Sequence, residues 1–134
     1  MKAGTRMYVI DTYALIEWFI RHNPAYSAAF KRIDMEGGLI CPTVLLEFYH
    51  KIFHTDGQQK ADGFLDAVLA GTQIVELSIG RIKAAGKKRS EMLRQKKKLS
   101  YADCLNLVVA EEFKAIVLTG DREFRCLPAT EFIE

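Results

Sequence analysis

Hydrophobic positions along this chain fall either in short uninterrupted runs or at helical spacing. Tyr8-Val9-Ile10 has no polar alternation and stops on Asp11, which reads as a strand buried on both faces and ending in a carboxylate. Beyond it, Ala14, Leu15, Trp18 and Phe19 fall at i, i+1, i+4 and i+5. They mark one face of a helix that ends before Asn23-Pro24, with Thr12 as its cap. Residues 26–35 form a second helix with Phe30 and Ile33 inward, closed by Gly37-Gly38. Leu39-Ile40-Cys41 is a short strand, and Pro42 opens a helix over residues 43–54 that buries Val44, Leu45, Phe48 and Ile52. After the turn Thr55-Asp56-Gly57, residues 58–70 form a helix with Phe64, Leu65 and Val68 on one side, stopped by Gly71. Residues 74–77 are the third strand, and residues 78–98 a long helix with a very wide polar face. Ser100 starts a helix that ends near Phe113, with Tyr101, Leu105, Val108 and Val109 apolar. Residues 115–119 form a strand as apolar as the first, and Phe132-Ile133 adds a short edge strand. Strands this apolar, separated by helices, predict an α/β chain of βα units around a mainly parallel sheet of four to five strands.

Composition fits one domain over residues 1–134: 49% of the residues are hydrophobic, enough for a sizeable core. The net charge is only +2, but it is unevenly placed. Residues 81–98 hold nine basic side chains against Glu91 alone, a local +8 that leaves −6 on the remainder, so a cationic element is set against an acidic body. In the bland reading this run is a solvated helix face; in the other it tracks a nucleic-acid backbone or receives an acidic partner segment. Cys41, Cys104 and Cys126 are odd in number and far apart, with no C-x-x-C pair. This argues against a disulfide framework and a thiolate metal site, and for a reduced, cytoplasmic setting. Lys2 and Arg6 precede no apolar stretch of signal-peptide length, and no uncharged run is long enough to span a bilayer.

The acids carry the chemistry. In open α/β sheets ligands bind at the carboxyl ends of the strands, where Asp11 sits. Asp121 follows the last main strand, Glu47 lies early in the helix after the second strand, and Asp103 falls in the first turn of a helix. Carboxylates converging from separate elements suit a hard divalent cation, Mg²⁺ or Mn²⁺, and the reaction that follows is phosphodiester hydrolysis. Each acid also has a plainer reading. Ser100-Tyr101-Ala102-Asp103 matches a capping box, Asp121 suits a turn or N-cap, and Glu47 an exposed helix position. Asp11 is hardest to dismiss, because a cap does not explain the apolar run before it.

Other centres fit less well. Glu47 with His50 and His54 suggests a di-iron or zinc site, but a carboxylate-bridged bundle needs a second Glu-x-x-His and a helical pattern throughout. The three histidines, His22, His50 and His54, read as solvent-facing. Asp11-Thr12-Tyr13 lacks the second acid expected of an aspartyl-phosphate enzyme, and no glycine-rich phosphate loop is present.

Four stretches together resemble the PIN domain family: Val9-Ile10-Asp11-Thr12, Thr43-Val44-Leu45-Leu46-Glu47, Leu99-Ser100-Tyr101-Ala102-Asp103 with Ala110, and Leu118-Thr119-Gly120-Asp121-Arg122-Glu123-Phe124. The resemblance runs from Tyr8 to about Phe124, and the chain's size is similar to that of VapC toxins. It implies a three-layer α/β/α fold and a Mg²⁺- or Mn²⁺-dependent endoribonuclease. By the same resemblance Asp11, Glu47, Asp103 and Asp121 are the metal-binding and catalytic quartet, Thr119 the hydroxyl residue before the last acid, and Thr12 the small polar residue after the first. It also implies an RNA substrate, a protein antitoxin whose tail covers the active edge, and a homodimer. Apolar stripes around Trp18, Phe19 and Phe53 serve such interfaces or the core. A PIN ribonuclease of RNA processing, or a non-catalytic PIN-like interaction module, would carry the same motifs.

Overall fold

In the computed structural model, which describes residues 6–134, five strands form one sheet in the order β3-β2-β1-β4-β5, every neighbouring pair parallel. The strands are β1 (Tyr8–Ile10), β2 (Gly38–Ile40), β3 (Gln73–Ile74), β4 (Ile116–Thr119) and β5 (Thr130–Phe132). Six helices complete a three-layer α/β/α sandwich: α1 (Thr12–Leu15), α2 (Ser27–Glu36), α3 (Pro42–Asp56), α4 (Gln58–Gly71), α5 (Ile79–Arg94) and α6 (Tyr101–Phe113). The first five residues, Lys2 among them, lie outside the described residues.

The architecture follows from the apolar runs. Val9, Ile10, Val117 and Leu118 are fully buried, so the two central strands have no wet face, and parallel pairing then requires helices on both sides. The carboxyl ends of β1 and β4 stand side by side, with the Asp11 amide donating to the Leu118 carbonyl at 3.1 Å. That pairing brings Asp11 and the Thr119-Gly120-Asp121 turn to the same edge. At the other end of β1, the Tyr8 hydroxyl donates to Glu131 at 2.8 Å, fastening β5 across β4 to the sheet's centre.

Several elements differ from the pattern read along the chain. The first helix is α-helical only to Leu15 and continues as a π-helical turn over Ile16–Ile20, where the Arg21 amide reaches back to the Ile16 carbonyl at 3.0 Å. The wider turn re-phases the helix face. Phe19 reaches Phe30, Phe48 and Phe64 edge-on, and Trp18 stacks on Phe30. Thr12 is not the cap; Asp11 holds that backbone position, without using its carboxylate for it. The second helix begins at Ser27, after a 3-10 turn over Pro24–Tyr26 that Asn23 caps. Strand β2 starts one residue earlier than expected, at Gly38, where a Cβ would lie 2.9 Å from the Ile10 side chain. The third strand shrinks to two exposed residues at the sheet edge, and only Val75 beyond it is buried. Helix α5 stops at Arg94, not Lys98: Lys96 is left-handed (φ 61) and the Lys97 amide returns to the Met92 carbonyl at 2.8 Å. The edge strand β5 lies slightly earlier than Phe132-Ile133.

The basic run divides in two. Arg81 grips Glu112 through two nitrogens at 2.9 and 2.7 Å, and Lys88 meets Glu111 at 2.6 Å, so these two cations staple α5 to α6. Lys83, Lys87, Arg94, Lys96, Lys97 and Lys98 form no ion pair among the described residues. His22, His50 and His54 are exposed, as expected. All three cysteines are free, and no described helix is long and apolar enough to cross a membrane.

Candidate metal centre

Three elements deliver three carboxylates to one point. Asp11 caps β1 from inside the core, only 6% exposed, while Asp103 arrives from the first turn of α6 and Asp121 from the turn after β4, both half-buried. One oxygen from each lies within 4.8 Å of the other two. The plainer roles of Asp103 and Asp121 hold at the same time. The Ser100 amide donates to Asp103 Oδ2 at 3.0 Å while the Asp103 amide donates to Ser100 Oγ at 3.1 Å, a complete capping box. The Glu123 amide donates to Asp121 Oδ1 at 3.1 Å, capping the short 3-10 turn Arg122–Phe124. Each cap uses one carboxylate oxygen and fixes the side chain, so these acids are aimed before any ligand arrives.

Asp11 is held from both sides. Thr119 Oγ1 donates to its Oδ2 at 2.7 Å and accepts from the Asp121 amide at 3.0 Å, so one hydroxyl ties the first acid to the last. On the other side Asn106 Nδ2 donates to Asp11 Oδ1 at 3.3 Å. Reading along the chain misses Asn106. It is fully buried one turn after Asp103, and its Oδ1 has no hydrogen-bond partner. The one signal for it is a lone amide in the run Cys104–Ala110, otherwise apolar and buried throughout.

Glu47 stands apart. It is exposed on α3 and outside the trio, with its Oε1 accepting from Thr12 Oγ1 at 3.3 Å. Its charge is still felt at Asp103.

The electrostatics are those of a site short of positive charge. Burial pushes the Asp11 carboxyl up to about 7; the Thr119 hydrogen bond pulls it down and the Asp103 and Asp121 charges raise it further. Asp103 is also raised, by burial first, against its Ser100 hydrogen bonds. No lysine or arginine forms an ion pair with any of the three among the described residues. A cluster of like charges without a protein counter-charge is stable only when protonated or when a cation joins it. The donor set is all oxygen, which suits a hard divalent ion, and the unpartnered Asn106 amide oxygen leaves room for one more polar contact beside it.

A model of the PIN domain family matches residues 8–129. No curated protein matches the chain. Among solved structures, VapBC2 from Rickettsia felis bound to a DNA fragment from their promoter superposes with a TM-score of 0.79 at 19% identity, covering 96% of this chain and 99% of that one. DNA-bound VapBC from Salmonella typhimurium gives 0.78 at 15% identity, with 96% and 98% covered. The sarcin-ricin loop cleaving toxin VapC20 of Mycobacterium tuberculosis gives 0.64 at 14% identity, with 87% and 92% covered. These identities carry the fold alone. The family model spans nearly every element described above, from β1 to the threshold of β5, and with it the chain belongs to the PIN domain family.

Proposed function

We propose that the protein is a Mg²⁺- or Mn²⁺-dependent endoribonuclease of VapC type, the toxin of a toxin-antitoxin pair. The observation that carries this reading is the convergence of Asp11, Asp103 and Asp121 within 4.8 Å, with no ion pair to a lysine or arginine among the described residues. Those three carboxylates would hold the metal. When bound, a divalent ion supplies charge neutralisation at the phosphoryl oxygens and lowers the pKa of a water. The protein supplies the rest. Thr119 and Asn106 fix the Asp11 carboxylate through both of its oxygens. Thr12 holds one oxygen of Glu47, and this carboxylate, whose charge reaches Asp103, would serve as general base. Unpaired lysines of the α5–α6 region attract the RNA backbone. By the same reading the chain has a protein antitoxin as its partner, in keeping with the toxin-antitoxin complex from Klebsiella pneumoniae of similar fold; that the antitoxin holds it inactive and that it pairs with a second copy belong to the proposal alone.

The test is direct. Wild type and Asp11→Asn are incubated with structured and unstructured RNA in Mg²⁺, Mn²⁺ or EDTA. Internal cleavage that needs metal and disappears in the variant supports the assignment. Equal, metal-independent traces in both reject it and move the weight to an interaction module.

Asn106 gives a second test. Asn106→Leu removes an unsatisfied buried oxygen but also the donor to Asp11 Oδ1, so the metal-free protein should lose about 1–3 kcal/mol of stability. The affinity for Mn²⁺, read by titration calorimetry, is expected to fall about tenfold as Asp11 loses one of its two anchors. An unchanged affinity would show that Thr119 alone orients Asp11.

A further inference from the structure

Resting on the endoribonuclease reading and extending it to how the substrate is held, we propose that Tyr101 and Arg89 form a stacking platform for one unpaired base of single-stranded RNA at the start of α6, the helix whose first turn also carries Asp103. Tyr101 is the first residue of α6, two positions before Asp103, and 71% of it is exposed. From Cys104 to Ala110 the same helix is buried at every position, so the ring lies outside the packed part of α6.

The ring is nonetheless held. The Arg89 guanidinium lies over it, 4.2 Å from the ring centroid, and Arg89 Nε donates to the Leu99 carbonyl at 3.4 Å. One face of the tyrosine is thus covered by a planar cation anchored to the backbone, while the ring as a whole remains open to solvent. Arg81 and Lys88 on the same helix are neutralised by Glu112 and Glu111; Arg89 has no acidic partner among the described residues. Lys96 and Lys98, both exposed and without ion pairs among the described residues, lie in the connection that leads directly into Tyr101.

An oriented aromatic face flanked by unpaired cations matches the two things a single strand offers, a bare base face and a phosphate backbone. A duplex hides its base faces in its own stack, so the platform favours unpaired nucleotides. An acidic protein segment would draw Arg89 off the ring and leave the aromatic face unused, which is why RNA is the better fit.

The experiment compares affinities for three labelled probes of about ten nucleotides: an unstructured RNA, an abasic strand of the same length, and a hairpin. Ca²⁺ is present to neutralise the carboxylates, and strand integrity is checked after each titration. Tyr101→Ala is expected to weaken the unstructured RNA about tenfold and to leave the abasic strand unchanged. Its salt slope should match wild type, because no phosphate contact is lost. Tyr101→Phe, which keeps the ring, should restore binding, and the hairpin should bind wild type more weakly than the single strand. Unchanged RNA affinity in Tyr101→Ala, or an equal loss on the abasic strand, overturns the platform. The nuclease reading is judged separately, by metal-dependent cleavage in wild type and its loss in Asp11→Asn. Wild type that binds and cleaves no RNA brings both readings down; wild type that cleaves RNA regardless of Tyr101 brings down the platform alone.

Discussion

Asp11→Asn is expected to abolish RNA cleavage, by about a hundredfold at the least, and at the same time to raise the melting temperature of the metal-free protein. The two signs come from one fact: a carboxylate is buried among carboxylates, with no ion-paired cation among the described residues. Its pKa is raised from 3.8 to about 7. A group whose folded value lies above its unfolded one stabilises the fold fully only below the unfolded value, and that contribution is lost as pH rises through the folded value. The metal-free wild type should therefore lose stability between about pH 4 and 7, by on the order of 2–4 kcal/mol from this group. Asparagine keeps the shape and removes the charge. A turn of the Asn106 amide lets its orphaned oxygen accept from the amide introduced at position 11. At pH 8 the variant should melt about 5 °C or more above wild type, with a flatter pH profile. Adding Mn²⁺ should reverse the order, stabilising wild type and not the variant. Melting curves at pH 5 and 8, with Mn²⁺ and with EDTA, check all of this. A metal-free variant less stable than wild type at pH 8 would overturn the repulsion argument.

What can be read along the chain and what cannot separates by the range of the forces involved. Tyr8-Val9-Ile10-Asp11 announces both a central strand and its acid, because no amphipathic alternation and no cap requirement explains that combination. Asp103 and Asp121 are visible as caps, and the structure makes them caps and members of the cluster together. Glu47 falls on the expected helix, but its separation from the trio depends on how α3 crosses the sheet edge, which spacing along one helix does not encode. Asn106 gives only the weak sign of an amide in an apolar run; its value depends on Asp11, 95 positions away. The π turn is invisible for a related reason. Apolar residues at i, i+1, i+4 and i+5 satisfy an α-helix equally well, and packing of Phe19 against Phe30, Phe48 and Phe64 settles the matter. The basic run looks uniform along the chain because Glu111 and Glu112, which neutralise Lys88 and Arg81, lie 23 and 31 positions further on.

Gly120→Ala should be the most damaging single-methyl change near the site, costing about 3 kcal/mol and displacing Asp121. The backbone there is not in the left-handed region; the obstacle is space. A Cβ would overlap the Ile133 carbonyl oxygen, the Tyr13 ring and the Tyr26 hydroxyl. The Tyr13 ring is exposed and can swing aside, but the other two do not yield easily. The Ile133 carbonyl accepts from the Tyr26 hydroxyl at 2.7 Å, and the Ile133 amide donates to the Thr119 carbonyl at 2.9 Å, so the C-terminal segment is tied to the turn it would have to leave. Tyr26 is fully buried, and moving its hydroxyl would break the bond to the Ile133 carbonyl. The methyl group must therefore move the Thr119-Gly120-Asp121 turn itself, breaking the hydroxyl link that runs from the Asp121 amide through Thr119 to Asp11. Urea unfolding should show the loss of stability, and Mn²⁺ titration a fall in affinity of about tenfold or more. Gly63→Ala is the control. It sits within α4 with nothing inside 4 Å of the added carbon, so it should raise stability by about 0.5–1 kcal/mol and leave metal binding unchanged. If Gly120→Ala matched Gly63→Ala on both measurements, the clamp of the C-terminal segment on the Asp121 turn would not be what positions that acid.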